Sequence, residues 1–365
     1  MILLSAFAFL SCTLIFYYLY FFARLAFYKQ PATENREQTP LSILVCAKNE
    51  EKNLLRNVPL LLQQEYEGER EVLIINDDSE DDTKILMQWM ARDHQNLHII
   101  NMERGSQLDV GKKYPLSIGI REARHNCLLL TDADCVPASV QWAARMQSAF
   151  APGIEIVLGY GPYEKLPGFL NKVIRFETFH SALQYLSYAL AGKAYMGVGR
   201  NLSYTKELFN RHKGFASINH LPGGDDDLFI KKAATSSNTA IMIDKEAHTI
   251  SSPKKTWGDW KRQKTRHYST SKYYKPIHQF LLGLYSLSQF LFYPLFIATT
   301  ILYSWEIALA ILGVKSVLQY IIFSKAMKKL NEQDLAKWIF VMDIGAFFYY
   351  LRFAGTLWRK DKKTW

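Results

Sequence analysis

Two aspartates, Asp132 and Asp134, flank Ala133 directly after the apolar run Leu128-Leu129-Leu130 and Thr131. Carboxylates spaced this way, just past a buried strand, can share one divalent cation while the chain turns. Hard oxygen ligands suit Mg²⁺ or Mn²⁺, which bridge to diphosphate oxygens. Such pairs also occur in ordinary loops, so the position after the strand carries the argument. Three other polar clusters accompany the pair. Asn76-Asp77-Asp78-Ser79 follows another apolar run. A carboxylate there can accept a hydrogen bond from a nucleobase N–H, or can form an Asx-turn that caps the next helix. Lys112, after Gly111 at a helix start, can reach a phosphate or simply be solvated. Gly223-Gly224-Asp225-Asp226-Asp227-Leu228 sets three acids in a row at the start of a helix. Capping accounts for one or two of them. A general base with a raised pKa, facing an acceptor hydroxyl, accounts for the repulsion among all three.

Taken in order, these segments resemble glycosyltransferase family 2, which has the GT-A fold. Leu41 to Glu51 resembles that family's opening strand and turn, and Asn76 to Thr83 its nucleotide loop, with Asp78 where Gly is usual. Gly111-Lys112-Lys113 resembles its Gly-Lys helix start. Asp132-Ala133-Asp134 matches its metal motif. Gly199-Arg200-Asn201 resembles its Gly-x-Asn strand, which faces the donor sugar. Asp225 to Leu228 resembles its acidic motif. Gln263-Lys264-Thr265-Arg266-His267 resembles the Gln-x-x-Arg-Trp of membrane-anchored synthases, with His for Trp.

The resemblance covers roughly residues 40–270 and implies a single inverting displacement at the anomeric carbon of a nucleotide-sugar donor. It implies that Ala47, Asn49, Glu50, Asp77, Lys112, Asp132, Gln263 and His267 contact the donor, and that Asp132 and Asp134 organise the metal. Asp226, or its neighbour Asp225, is then the base that deprotonates the acceptor, with Asp227 capping the helix or supporting the base from behind. Arg266 and His267 are candidates for clamping the leaving diphosphate.

The elements that must position these residues are legible between the clusters. Strand-like runs at 41–47, 71–76, 97–101 and 127–131 alternate with helix-like runs at 50–64, 81–94 and 112–124. Strands alternating with helices imply crossovers on a mainly parallel α/β sheet. In such sheets ligands bind outside the carboxyl ends of the strands, where these clusters fall.

The 365-residue chain has room for one catalytic domain, expected over 40–250, and several membrane segments. Residues 1–23 carry no charge and are followed by Arg24 and Lys29. That is long enough to span a bilayer, and it predicts an N-terminal anchor over 1–28 with the domain on the cytoplasmic side. A C-terminal membrane region is expected over 277–358. Two runs, 277–305 and 307–324, fit helices, and a third, 338–358, spans, re-enters or lies in the interface.

The net charge of +10 concentrates in 253–275, with eight Lys/Arg against one acid and five interleaved Trp/Tyr. Next to a membrane run this composition marks an interfacial amphipathic segment on anionic lipid rather than a nucleic-acid groove. The four cysteines show no metal-ligand spacing and read as reduced thiols. The missing Gly-x-x-x-x-Gly-Lys-Ser/Thr loop and aspartyl-nucleophile motif speak against a phosphoryl transferase. Retention of both the acid pair and the acid trio speaks against a non-catalytic scaffold. The expected acceptor is a lipid, a lipid-linked group or a glycan. A processive polysaccharide synthase would need more of a channel than these segments offer. The sequence sets no oligomeric state.

Overall fold

The computed structural model describes residues 2–31, 37–103, 111–221, 223–268, 270–353 and 355. The chain divides into two compact units. One comprises Gln30–Lys165 and Gly192–Pro253. The other comprises Met1–Lys29, Leu166–Ala191 and Lys254–Lys360.

The first of these units is built on a seven-stranded sheet. Its strands are β1 (Leu41–Ala47), β2 (Arg70–Asp77), β3 (Leu97–Met102), β4 (Cys127–Asp132), β6 (Ile156–Gly159), β7 (Leu202–Thr205) and β8 (Thr239–Met242), in the order β3-β2-β1-β4-β7-β6-β8. Two short strands, β5 (Cys135–Pro137) and β9 (Thr249–Ser251), pair separately. β1 is parallel to both β2 and β4, β2 to β3, and β6 to β8, while β7 runs antiparallel to β4 and β6. This is the mainly parallel α/β sheet expected from the alternating pattern. β1, β2 and β4 are near-continuous apolar runs because helices cover both faces of such a sheet. Leu41, Ile43, Val45, Val72, Ile74 and Leu129 form its core.

The helices Glu51–Leu62, Thr83–Arg92 and Lys113–Glu122 supply the crossovers. Each starts and ends within three residues of its expected bounds, and fraying at helix ends accounts for the difference. Gly119 lets the last of them approach closely. A Cβ there would stand 2.6 Å from the Ile75 side chain. Beyond the sheet, Asn201 is buried under β6 and pins three segments. Its amide donates to the carbonyls of Tyr160 and Ala247, both at 2.8 Å, and its oxygen accepts from the Trp142 indole at 3.0 Å.

The other unit is helical. Three helical runs, Ile2–Ala26, Pro276–Leu302 and Trp305–Lys329, are long and apolar enough to cross a membrane. The first contains a π-helical stretch over Tyr17–Phe22. The third apolar run gives the helix Ile339–Phe353, of 15 residues. At 1.5 Å per residue this is about 23 Å, short of a ~30 Å hydrocarbon core. The basic residues expected after it, 359–363, lie outside the described residues. One helix of this unit, Phe169–Leu190, lies within the range expected for the catalytic domain. Its buried Asn171, Arg175 and Thr178 keep it from reading as a membrane helix. Arg175 pairs with the buried Glu332 and with Asp334.

Asp343 anchors Ile339–Phe353 to its neighbours. Its carboxylate pairs with the fully buried Lys315 and accepts from Gln289 at 2.6 Å, from Gln319 at 2.8 Å and from the Tyr293 hydroxyl. Lys315 also donates to Gln319 at 2.9 Å. Removing one partner of a buried ion pair strands the other charge. Lys315→Met should therefore destabilise the unit by about 3–5 kcal/mol. Lys315→Met with Asp343→Leu should recover most of that loss, as read by thermal unfolding in detergent. Equal losses in the single and double variants would show that the pair is not what holds this helix.

Candidate active site

The parallel register brings three strand ends level. Cys46 stands opposite Asp132 across β1 and β4, and Ala47 opposite Asn76 across β1 and β2. Each strand ends in a polar turn. After β1, Asn49 adopts a left-handed conformation, φ +57°, and after β2 so does Asp78, φ +53°. These are residue types that tolerate it. The two turns are stitched together. The Asn49 N–H donates to the Ser79 hydroxyl at 2.9 Å, the Glu80 N–H to the Asn49 side-chain oxygen at 2.8 Å, and the Glu50 N–H to Thr83 at 3.0 Å. Within the second turn the Ser79 N–H donates to the Asn76 side chain at 3.3 Å. Asp77 is buried at the end of β2.

The turn after β4 is held from two sides. Asn57, buried on the helix Glu51–Leu62, donates to the Ala133 carbonyl at 2.7 Å, and Thr131 donates to the Arg200 carbonyl at 3.0 Å. Asp132, Asp134 and Cys135 each present a ligand atom within 4.8 Å of the others. Cys135 is a poor ligand here. It lies within hydrogen-bond reach of Ser251, at 3.0 Å, and burial followed by the two neighbouring aspartates pushes its thiol well above the usual range. The two half-buried carboxylates suit a hard divalent cation that takes its remaining ligands from diphosphate and water. Glu50 joins this acidic surface. Burial raises its pKa, a hydrogen bond from Asn53 opposes the rise, and Asp134 and Asp132 add to it.

Lys112 provides the positive charge. It is half-buried and forms an ion pair with Asp132. Burial works against its charge, but Asp132 and then Asp225 outweigh burial and hold the ammonium well above its usual range. The Cys46 thiol marks where these charges meet. Burial first pushes it up to about 12, Lys112 opposes, and Asp225, Asp132 and Asp77 add to the rise. The ends of β1, β2 and β4, the start of the helix Lys113–Glu122 and the acidic trio therefore converge on one place.

Within the trio the three acids have distinct settings. Asp226 is the N-cap of the helix Asp227–Ala233, and both of its oxygens are engaged. One accepts from the Asp227 N–H at 2.7 Å, the other from the Gly199 N–H at 2.9 Å. Asp227 is buried and accepts from the Leu228 N–H at 2.7 Å. The capping expected of Asp227 thus falls to Asp226. Burial, then repulsion from Asp225 and Asp227, raises Asp226 to about 8, against the two amide hydrogen bonds. Asp225 is half-buried and lies near enough to Lys112 and Cys46 to act on both electrostatically.

Gln263, Arg266 and His267 lie on the helix Trp257–Tyr268 of the other unit, Arg266 and His267 exposed and Gln263 half-buried. Lys264, inside that motif, is buried in an ion pair with Glu177. Asn201, expected on a strand facing the donor sugar, spends its amide on the internal bonds described above. Sequence reading passed over Asn57. A polar residue on the inner face of an amphipathic helix has no spacing signal of its own.

Residues 42–212 match the family model described as Glycosyl transferase family 2. That match covers 171 of the 365 residues. Two curated relatives come from Trichomonas vaginalis. Dolichyl-phosphate beta-glucosyltransferase ALG5A is 30% identical over 129 residues, covering 30% of this chain and 39% of the relative. Dolichyl-phosphate beta-glucosyltransferase ALG5D is 28% identical over 129 residues, covering 30% of this chain and 38% of the relative. The match thus spans well under half the length of either relative. Among solved structures, the mannosyltransferase PcManGT from Pyrobaculum calidifontis, in complex with GDP-Man and Mn²⁺, is similar over 94% of this chain and 98% of its own, with a TM-score of 0.59 and 17% identity. At that identity the likeness speaks for the fold alone.

The raised Asp226 carboxyl has a consequence for stability. Its proton is held in the folded state up to about pH 8 but lost from the unfolded chain near the ordinary value of 3.8. Stability is therefore greatest below the lower value and falls as pH rises towards the upper one. Asp226→Asn removes this titration. The melting temperature of the variant should decline less between pH 4 and 8 than that of the parent protein. Identical pH slopes would show that Asp226 ionises normally.

Proposed function

We propose that this chain is an inverting glycosyltransferase that moves a sugar from a nucleotide-activated donor to an acceptor hydroxyl borne on a membrane lipid or lipid-linked glycan. The observation that carries this reading is the meeting of Asp132, Asp134, Lys112 and Asp225 at the level strand ends of a domain that matches the family 2 model. Bound at Asp132 and Asp134, Mg²⁺ or Mn²⁺ would neutralise charge on the departing nucleoside diphosphate. Asp77, with Asn49 and Glu50 in the adjoining turn, binds the nucleoside end of the donor. Lys112 aligns the Asp132 carboxylate and adds positive charge where the diphosphate leaves.

The acceptor oxygen attacks the anomeric carbon from the face opposite the diphosphate. The carbon–oxygen bond to the diphosphate breaks, and the acceptor proton passes to a carboxylate. We assign that carboxylate to Asp225, because Asp226 holds its proton to about pH 8 and has both oxygens tied to backbone amides.

The names of the curated relatives point to a lipid acceptor. The acidic trio favours a neutral hydroxyl, since carboxylates repel a phosphate and a phosphate dianion needs no base. The long apolar helices support a reaction at a membrane. Arg24 after the first, and Lys328 and Lys329 in the last turn of Trp305–Lys329, favour the cytoplasm for the catalytic unit. A reporter fused after residue 270 should then read as cytoplasmic, and an external signal would overturn the topology.

Asp225→Asn keeps the shape and removes the proton acceptor. It should lower turnover by about two to four orders of magnitude with nucleoside diphosphate binding little changed. Asp226→Asn should cost much less. The reverse order would return the role of base to Asp226. Near parental activity in both variants would point to an acceptor that needs no base, such as a lipid phosphate. Asp134→Ala should abolish Mg²⁺- or Mn²⁺-dependent transfer without affecting membrane insertion. Undiminished transfer in excess chelator would remove the metal from the account.

A further inference from the structure

Two adjacent lysines open the helix Lys113–Glu122, and they do different things. Lys112 pairs with Asp132. Lys113 is only 5% exposed, and its ammonium donates to two backbone carbonyls of the loop ahead of the acidic trio, Leu221 and, at 2.8 Å, Gly223. The chain then turns at Gly224, φ +97°, where a Cβ would come within 2.6 Å of the Leu228 side chain. Asp225 follows at once. On its other side, Asp226 is tied to the Gly199 and Asp227 amides. Asp225 is therefore suspended between two fixed points, one of them set by Lys113.

Burying an ammonium is costly, and the carbonyls it reaches offset part of that cost. An apolar residue would fill the same space more cheaply but would leave both carbonyls without this donor. What the lysine adds is a fixed position for the turn. A shift of about 1 Å in a reacting group can cost on the order of a hundredfold in rate.

We infer that Lys113 is a positioning residue for the proposed reaction, holding the loop of Leu221 and Gly223 so that Asp225 faces the acceptor oxygen beside Lys112. The inference rests on the assignment of Asp225 as the base. It predicts that adjacent lysines divide the work, Lys112 serving the leaving group and Lys113 the attacking one.

A double-mutant cycle on the full-length protein in detergent tests it. Parent, Lys113→Met, Asp225→Asn and the double variant are assayed with a membrane-lipid extract. The donor is whichever of UDP-glucose or GDP-mannose the parent turns over. Nucleotide affinity is read with the matching diphosphate, UDP or GDP, and Mn²⁺. Lys113→Met should lower kcat by about a hundredfold while diphosphate affinity stays within about threefold. In the Asp225→Asn background the same change should cost less than about threefold, because the group it positions is already gone. If Lys113→Met does not fold, Lys113→Gln, which keeps an N–H for the Gly223 carbonyl, takes its place with a smaller loss and the same lack of additivity expected. Losses that multiply in the double variant, diphosphate affinity falling in step with kcat, or an unchanged kcat would overturn the inference. Parental turnover by Asp225→Asn alone would instead overturn the assignment of the base, independently of the lysine.

Discussion

The register of one strand decides where the site can be. β1 pairs in parallel with β2 on one side and β4 on the other, so that Cys46 faces Asp132 and Ala47 faces Asn76. Parallel pairing makes all three strands end at the same edge, and their polar turns then share one volume. A slip of one residue in β4 would turn its side chains to the opposite face of the sheet and bring apolar residues into the turn. The buried Leu129 and the bond from Asn57 to the Ala133 carbonyl act against such a slip. Positions of single carboxylates are thus fixed by packing far from them.

That convergence creates an electrostatic problem, which the site meets in three ways. Glu50, Asp77, Asp132, Asp134, Asp225 and Asp226 crowd one edge of the sheet. Lys112, poised between Asp132 and Asp225, offsets part of the repulsion. Asp226 takes up another part by holding its proton to about pH 8 while capping a helix. The remainder is what the proposed divalent cation at Asp132 and Asp134 would neutralise. Surplus negative charge at rest is what a site needs if it is to bind a cation together with a diphosphate.

Much of this was legible in the sequence because periodicity and punctuation agree. Apolar strands ending in Asn76-Asp77 and Thr131-Asp132 announce a parallel sheet and the edge where its polar turns gather. The three long apolar runs announce their helices in the same way. Other features have no one-dimensional signature. The helix Phe169–Leu190 carries Arg175, which is paired with Glu332, more than 150 positions away in the chain. The choice among Asp225, Asp226 and Asp227 turned on which carboxylate found the Gly199 amide, a contact between segments far apart in sequence. Gly199-Arg200-Asn201 resembled a sugar-facing strand, yet Asn201 bonds inward to Tyr160, Ala247 and Trp142. A motif fixes residue types, and the fold decides which way each one faces.

The most direct test of the account is the product itself. The full-length protein in detergent, supplied with Mn²⁺, a membrane-lipid extract and a panel of labelled α-linked nucleotide sugars, should place label in a lipid-extractable glycoside. That product should carry the inverted, β configuration by NMR, and excess chelator should abolish its formation. A retained configuration, label released only as free sugar, or no transfer from any donor would contradict the account.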